Sequence, residues 1–497
     1  MKLKNSIKIM ISGVLLLVLS SCSLMQVEPK SKSKNRPFIT TWQIDDTQKN
    51  KAIVIRTKGE GYNYSIDWGD GFSEQNLTGN ARHTYKVDGN YSVKINGDFP
   101  WLYNGETCRN NPKIISIDQW GDIKWTSMES AFANAKKLQL NASDTPDLSQ
   151  VEDMGHMFEY ADLFNGDISK WDVSHVRNMA YMFDSAFSFN QDLNDWNTSE
   201  VLDMTFMFNN AHAFNGNISK WNVSKLIGMD GMFGYAAMFN QELNDWNVSN
   251  VLYLQGLFMG AKSFNQALSS WDVSKVHDFD SVFEGATAFN QNINDWDVSH
   301  ADHLHDTFKQ AASFNQPLDK WKVGQMYSLA SLFEEATAFN QDLSLWDVSG
   351  VEKFQQMFCE AAAFNQNINT WDMKSAQKLG WMFRGATMFN QPLNNWNTRH
   401  VSDLNSMFDA ATAFNQDLSS WDVSGVHTMS DLFLGTALST KNYDKVLNAW
   451  SKQRLTTEVD FNAGSTKYTS QAKEAHEILV KTFKWTVHDG GLKNVLH

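Results

Sequence analysis

The sequence predicts an α/β repeat solenoid with a 25-residue period, preceded by a small β-sandwich and closed by an α/β cap. Three observations carry that expectation. Tryptophan recurs every 25 residues from Trp171 to Trp421 without a slip. Within each period the apolar residues keep first a strand-like and then a helix-like spacing. Residues 37–100 lie outside the period and alternate apolar with polar positions between Asp-Gly turns.

The chain opens with Lys2, Lys4 and Lys8, an apolar run from Ile9 to Leu19, and then Ser20, Ser21 and Cys22. A basic start, a short apolar run and small residues make residues 1–21 a secretory signal. Cys22, just after the cut, marks it as a lipoprotein signal whose cysteine would carry a diacylglyceryl group. No later stretch reaches the roughly 18 apolar residues of a membrane span, so anchoring is expected through lipid at Cys22. Residues 22–36, rich in Ser and Lys, are expected to form a flexible tether. Together these features predict a bacterial cell-envelope protein, lipid-anchored at the surface membrane.

The formal charge is -14, and removing the signal takes away three lysines and no acid. So acidic a chain offers phosphates no basic face, and no nucleic-acid partner is expected. Besides Cys22 there are only Cys108 and Cys359, which is too few for a disulfide framework.

Residues 37–100 contain "YSIDWGDG" and "HTYKVDGNYSVKI", hence the small sandwich. Asp67 and Asp70 suggest a metal pair, but this stretch resembles the PKD-like module, which implies that both sit in a turn, and the turn is the better explanation. Residues 101–435 form the expected repeat array. In one unit, Ile168, Trp171, Val173 and Val176 keep the leucine-rich-repeat-like spacing of a short parallel strand. Val176, Met179, Met182, Phe183, Ala186 and Phe189 then step by three or four residues, as one face of a helix does. Ala186 and the Phe189-Asn190 pair recur unit after unit, the alanine allowing close approach and the asparagine satisfying backbone groups of the adjoining coil. Near Trp120 to Ser149 the pattern degrades, with Pro146 at the tryptophan position, as a terminal unit should. Residues 436–497 lose the period; Tyr443, Val446, Leu447 and Trp450 predict a helix of the C-terminal cap.

The residue after each tryptophan is polar. Asp272, Asp297, Asp347, Asp372 and Asp422 would line the exposed strand face as an acidic strip, broken by Lys322, and are the candidate binding residues. The plainer reading, turn-stabilising Asp and Asn on a solvated face, takes the larger share. In "HADHLHD", His300 and His303 would share a helical face beside His305, Asp302 and Asp306, but Leu304 in the core slot puts them on a rim, and no metal is expected. Cys359, after Phe358, reads as an apolar filler. No phosphate loop, nucleophile elbow, zincin or paired-cysteine motif occurs, so the expectation is a non-enzyme with no catalytic residues and no cofactor.

Two resemblances add to this. Asp67-Trp68-Gly69-Asp70-Gly71, with His83-Thr84-Tyr85 and Gly89-Asn90-Tyr91, resembles the PKD-like module. With the lipoprotein signal, the "MF..A..FNQ.L..WDVS" units and the cap in one order, nearly the whole mature chain resembles the BspA-like bacterial surface lipoproteins. That resemblance implies a non-enzymatic adhesion solenoid binding an extracellular protein or glycan. The alternative, which the PKD-like module suggests, is a glycan-binding or hydrolase-accessory surface protein.

Overall fold

The computed structural model describes residues 36–45, 51–105 and 113–493. The signal, Cys22, nearly all of the tether and Cys108 lie outside the described residues.

The described residues begin with seven strands: β1 (Phe38–Ile44), β2 (Ala52–Ile55), β3 (Asn63–Asp67), β4 (Ser73–Leu77), β5 (Ala81–Thr84), β6 (Gly89–Asp98) and β7 (Ile114–Gln119). A two-residue strand, β8 (Gln139–Leu140), follows. In β1, Phe38, Thr40, Trp42 and Ile44 are buried while the residues between them are half-buried, the period-two pattern of a strand. Six strands form one mixed sheet in the order β4-β3-β6-β1-β7-β8, and β2 pairs with β5 apart from it. This corrects the expected small sandwich of residues 37–100: the sheet runs on through β7 and ends in β8, which pairs in parallel with Ser116 and Ile117. The sheet therefore hands the chain directly to the segment beyond it.

That segment corrects the fold class. Between β8 and the helix α1 (Thr440–Trp450), the described residues contain no helix and no strand longer than isolated bridges. The α/β leucine-rich-type unit does not exist. Ile168 to Val176 is not a strand, and Met179 to Phe189 is not a helix.

The backbone shows why. Met182, Asp184 and Ala186 donate back three residues, to the carbonyls of Met179, Tyr181 and Phe183, at 3.2, 3.1 and 3.0 Å. Tyr181 and Ser185 stand at φ 57° each, the left-handed third position of type II turns. The N–H groups of Met179, Tyr181, Phe183 and Ser185 point out of the turns and donate to Asp203, Thr205, Met207 and Asn209 carbonyls at 2.8–2.9 Å. Alternate N–H groups thus close turns and join coils, and each N–H from Met179 to Ala186 has a partner. Two successive turns repeat every four residues, so they aim Met179, Phe183 and Ala186 inward as a helix would.

What results is a stack of turn-built coils. Single parallel bridges join them, Asp153 to Asn178 to Asp203 and again Asp278 to His303. Phe183 stacks on Phe208 at 5.5 Å, and Phe208 on Phe233 at 5.9 Å, the planes within 4°. Each coil also pairs its own rings, Phe183 with Phe189 at 4.0 Å. The tryptophan cannot be replaced by another apolar residue without loss, because its indole N–H is used: Trp296 Nε1 donates to Leu268 O at 3.1 Å.

At the C-terminal end α1 substitutes for a further coil. Ser439 N and Asn442 Nδ2 take Asn415 Oδ1 at 2.8 and 3.0 Å, and Trp450 Nε1 takes Leu418 O at 3.3 Å. The strands β9 (Asp460–Asn462) and β10 (Thr486–His488) pair in parallel, with α2 (Lys473–Lys481) between them in the chain. Buried side chains form one continuous cluster from Phe38 to Trp485.

Candidate metal centre

The same turn geometry builds a cluster of metal-ligating side chains on two adjacent coils. Phe279, Val282 and Phe283 are wholly buried, and the residues on either side of Phe279, Asp278 and Asp280, are half-buried and project outward. One coil later Leu304 is buried, and His303 and His305 project beside them. The coils are locked in register, since Phe279 N donates to His303 O at 3.1 Å and Ser281 N to His305 O at 2.9 Å.

Side chains tighten that register. Asp280 Oδ1 accepts the main-chain N–H of His305 at 2.7 Å and lies 3.4 Å from His305 Nδ1. Asp278 Oδ1 accepts Asp280 N at 2.9 Å, which fixes the acid's approach. One ligand atom each from Asp280, His303 and His305 lies within 4.8 Å of the others. Asp280 and His305 are half-buried and His303 is exposed, so an ion there would be held by three protein ligands and reachable from solvent. Two imidazoles and a carboxylate suit zinc and its transition-metal neighbours, and three ligands leave a position free.

The hydrogen bond to Asp280 holds the His305 imidazole above its ordinary 6.5, with burial opposing it. The sign follows from the charge each state prefers. Without metal, the raised value makes protonated His305 a stabilising group below the unfolded pKa, and that contribution fades as pH rises through the folded one. Metal binding needs the neutral ring and runs the other way. Zinc affinity should therefore begin to fall, on acidification, at a pH above that of an isolated histidine. Titrating zinc into the protein between pH 8 and pH 5, with proton NMR of His305 alongside, checks this; a midpoint at or below the ordinary value contradicts it.

The sequence reading missed this centre. His300 and His303 do not share a helical face, because no helix exists there. His300 sits on an exposed turn, 3.4 Å from Ser299 Oγ. Asp302 is 3.3 Å from His277 Nδ1, and Asp306 is 3.5 Å from Lys309 Nζ. The third ligand comes from the preceding coil, and subtracting 25 residues from His305 finds it. The expectations of a firm non-enzyme and of a purely adhesive solenoid are corrected by this cluster and by the turn-built coil.

The acidic row lies elsewhere and on no strand. Asp272, Asp297, Asp347 and Asp372 are exposed and Asp422 half-buried. Each closes an Asx turn: Asp272 Oδ1 accepts Ser274 N at 3.1 Å, Asp297 Oδ1 Ser299 N at 3.0 Å, and Asp347 Oδ1 Ser349 N at 2.9 Å. Asp372 does so with Lys374 N at 3.2 Å and Asp422 with Ser424 N at 3.0 Å. The hydroxyls of Ser274, Ser299, Ser349 and Ser424, and then the main-chain N–H groups of the same serines, hold the Asp272, Asp297, Asp347 and Asp422 carboxyls below their ordinary value. Asp67 and Asp70 close turns onto Gly69 N and Phe72 N at 3.0 and 3.1 Å, and Asp70 also meets His83 Nε2 at 2.7 Å. Cys359 is buried, and burial pushes its thiol up to about 12. A thiol held protonated is no nucleophile.

Among known proteins, the chain matches the family described as "Mycoplasma protein of unknown function, DUF285" in five overlapping stretches: residues 126–245, 214–321, 293–386, 327–450 and 366–474. These together span more than half of the chain. The resemblance to BspA-like surface lipoproteins is corrected accordingly, since this is the family matched and the leucine-rich-type unit is absent. No curated protein matches the chain.

Proposed function

We propose, from the premise that this chain belongs to the DUF285 family of Mycoplasma proteins of unknown function, that it is a metal-binding, glycan-binding surface protein serving as an accessory to hydrolysis. The observation that carries this reading is the Asp280, His303 and His305 cluster, with its ligand atoms within 4.8 Å of one another. Asp280, His303 and His305 would hold a zinc-class ion, which when bound would supply Lewis acidity toward a sugar hydroxyl or a water. The chain's own part is to keep those three side chains together. The His305 N–H on Asp280 orients the carboxylate, and the bridge from Asp278 to His303 sets the second ring beside it.

The test is retention on insoluble polysaccharide, with release of reducing ends followed in the same samples. The protein is compared after treatment with EDTA and after reloading with zinc. Retention or release that needs the metal supports the reading; indifference of both to EDTA and zinc overturns it.

The surface location belongs to the same proposal and rests on Cys22. Cys22→Ser should move the protein from the detergent phase to the aqueous phase and release it from cells. Unchanged partitioning would show that lipid at Cys22 is not the anchor.

A further inference from the structure

A groove of about 1100 Å³ opens in the C-terminal cap, between α1, the last coil and the segment that leads into α2. The helix buries Tyr443, Val446, Leu447 and Trp450. Its other side carries Lys441, Lys445 and, in the turn that ends it, Lys452, all exposed. Steps of four and seven residues put these three on one face, along roughly 16 Å of helix. Lys493 lines the same groove from the chain beyond β10.

Two carboxylates border the groove, and both are already engaged. Asp417 Oδ2 accepts Lys445 Nζ at 2.7 Å. Asp444 is buried and takes the main-chain N–H and the hydroxyl of Thr469 at 2.8 and 2.6 Å. Among the described residues, Lys441, Lys452 and Lys493 have no carboxylate within ion-pair distance. The whole-chain charge of -14 conceals this end: residues 436–497 hold nine Lys and Arg against six Asp and Glu, a surplus of three. Cations kept along one open groove repel each other, and a bound anion removes that cost.

We infer that this groove binds an acidic glycan, with carboxylate or sulfate groups against Lys441, Lys452 and Lys493 and sugar hydroxyls against Thr440, Ser470 and Gln471. The lysine stripe is longer than one small anion, which calls for a polymer that carries charges at intervals. No aromatic ring lines the groove to stack a base, and no large apolar side chain lines it to anchor a peptide, so a glycan fits it better than a nucleic acid or a protein. The neutral side chains among the lysines suit hydroxyls, which both donate and accept. The groove is separate from the metal centre and needs no zinc.

The experiment is titration of the chain, in EDTA, with dextran sulfate, polygalacturonate, unmodified dextran and oligothymidylate. At least one acidic glycan should bind, more weakly as salt rises, while dextran should not. Lys441→Gln/Lys452→Gln/Lys493→Gln should weaken that binding about tenfold or more and flatten its salt dependence. Lys473→Gln/Lys481→Gln/Lys484→Gln removes the same charge from outside the groove and should change it far less. Sulfate and carboxylate sources are told apart by which of the two acidic polymers binds. Binding of neither, equal binding of dextran, or equal weakening in the two triple variants overturns the groove. Tighter binding of oligothymidylate than of either acidic glycan overturns the sugar assignment. With EDTA present throughout, each of these failures leaves the zinc-dependent test of the metal centre untouched.

Discussion

Trp296→Ala should destabilise the middle of the stack by about 3–5 kcal/mol. Trp296 is 3% exposed, lies parallel to Trp271 at 6.3 Å and tilts against Phe283 at 6.0 Å. Its removal opens a cavity that two neighbouring coils cannot close without breaking their own register. Trp296→Phe separates the two parts of the effect. It keeps most of the apolar contact and loses only the donor to Leu268 O, for about 1–3 kcal/mol. Because each coil touches chiefly its neighbours, opening should be local. Hydrogen exchange should accelerate in residues 270–320 and leave β1, β6 and α1 protected. Uniform acceleration along the whole chain, or none, would contradict a stack held coil by coil.

His303→Ala/His305→Ala should reduce zinc affinity by more than about 100-fold, since loss of outer partners alone costs about 10–100-fold. The fold should stay intact, because His303 is exposed and His305 only half-buried, and losing the contact of His305 Nδ1 with Asp280 costs about 1 kcal/mol or less. Asp280→Asn is the finer probe. The amide oxygen can still accept His305 N, so the register survives while the charge and the better ligand are lost. His300→Ala and Cys359→Ala serve as controls, since neither residue belongs to the cluster. Competition against a chromophoric chelator reads all five proteins. If His300→Ala weakens zinc as much as the double variant, the centre has been placed wrongly.

How much of this was legible in the sequence depends on the level asked about. The positions that stack could be read from the spacing of Trp171 to Trp421 and from the recurring Phe-Asn pairs. The path of the chain between them could not. A helix and a run of four-residue turns both aim Met179, Phe183 and Ala186 inward, so periodicity alone does not separate them. One signal was present and unused: the column of Tyr181 and Phe206 becomes Gly231 and then Gly256, and the column of Ser185 becomes Gly260 and Gly285. Glycines scattered through two columns four residues apart mark left-handed positions, which a helix does not have.

The site followed the same division. His303 and His305 stood out in the sequence, but a helical reading paired His303 with His300 and left Asp280 out of view. On turn-built coils the neighbour that matters is one coil back, so Asp280 belongs with His305 and Asp278 with His303. The acidic row was read on an exposed strand face, and the Asx turns that Asp272 and its equivalents close show the local role of those carboxylates.

The most direct measurement of the central claim is the zinc X-ray absorption spectrum of the stoichiometrically loaded chain. Two imidazole nitrogens are expected at about 2.0–2.1 Å, with carboxylate and water oxygens at about 2.0–2.2 Å completing the shell. The imidazole scattering should disappear in His303→Ala/His305→Ala. A shell of oxygens alone, or imidazole scattering that persists in that variant, would contradict it.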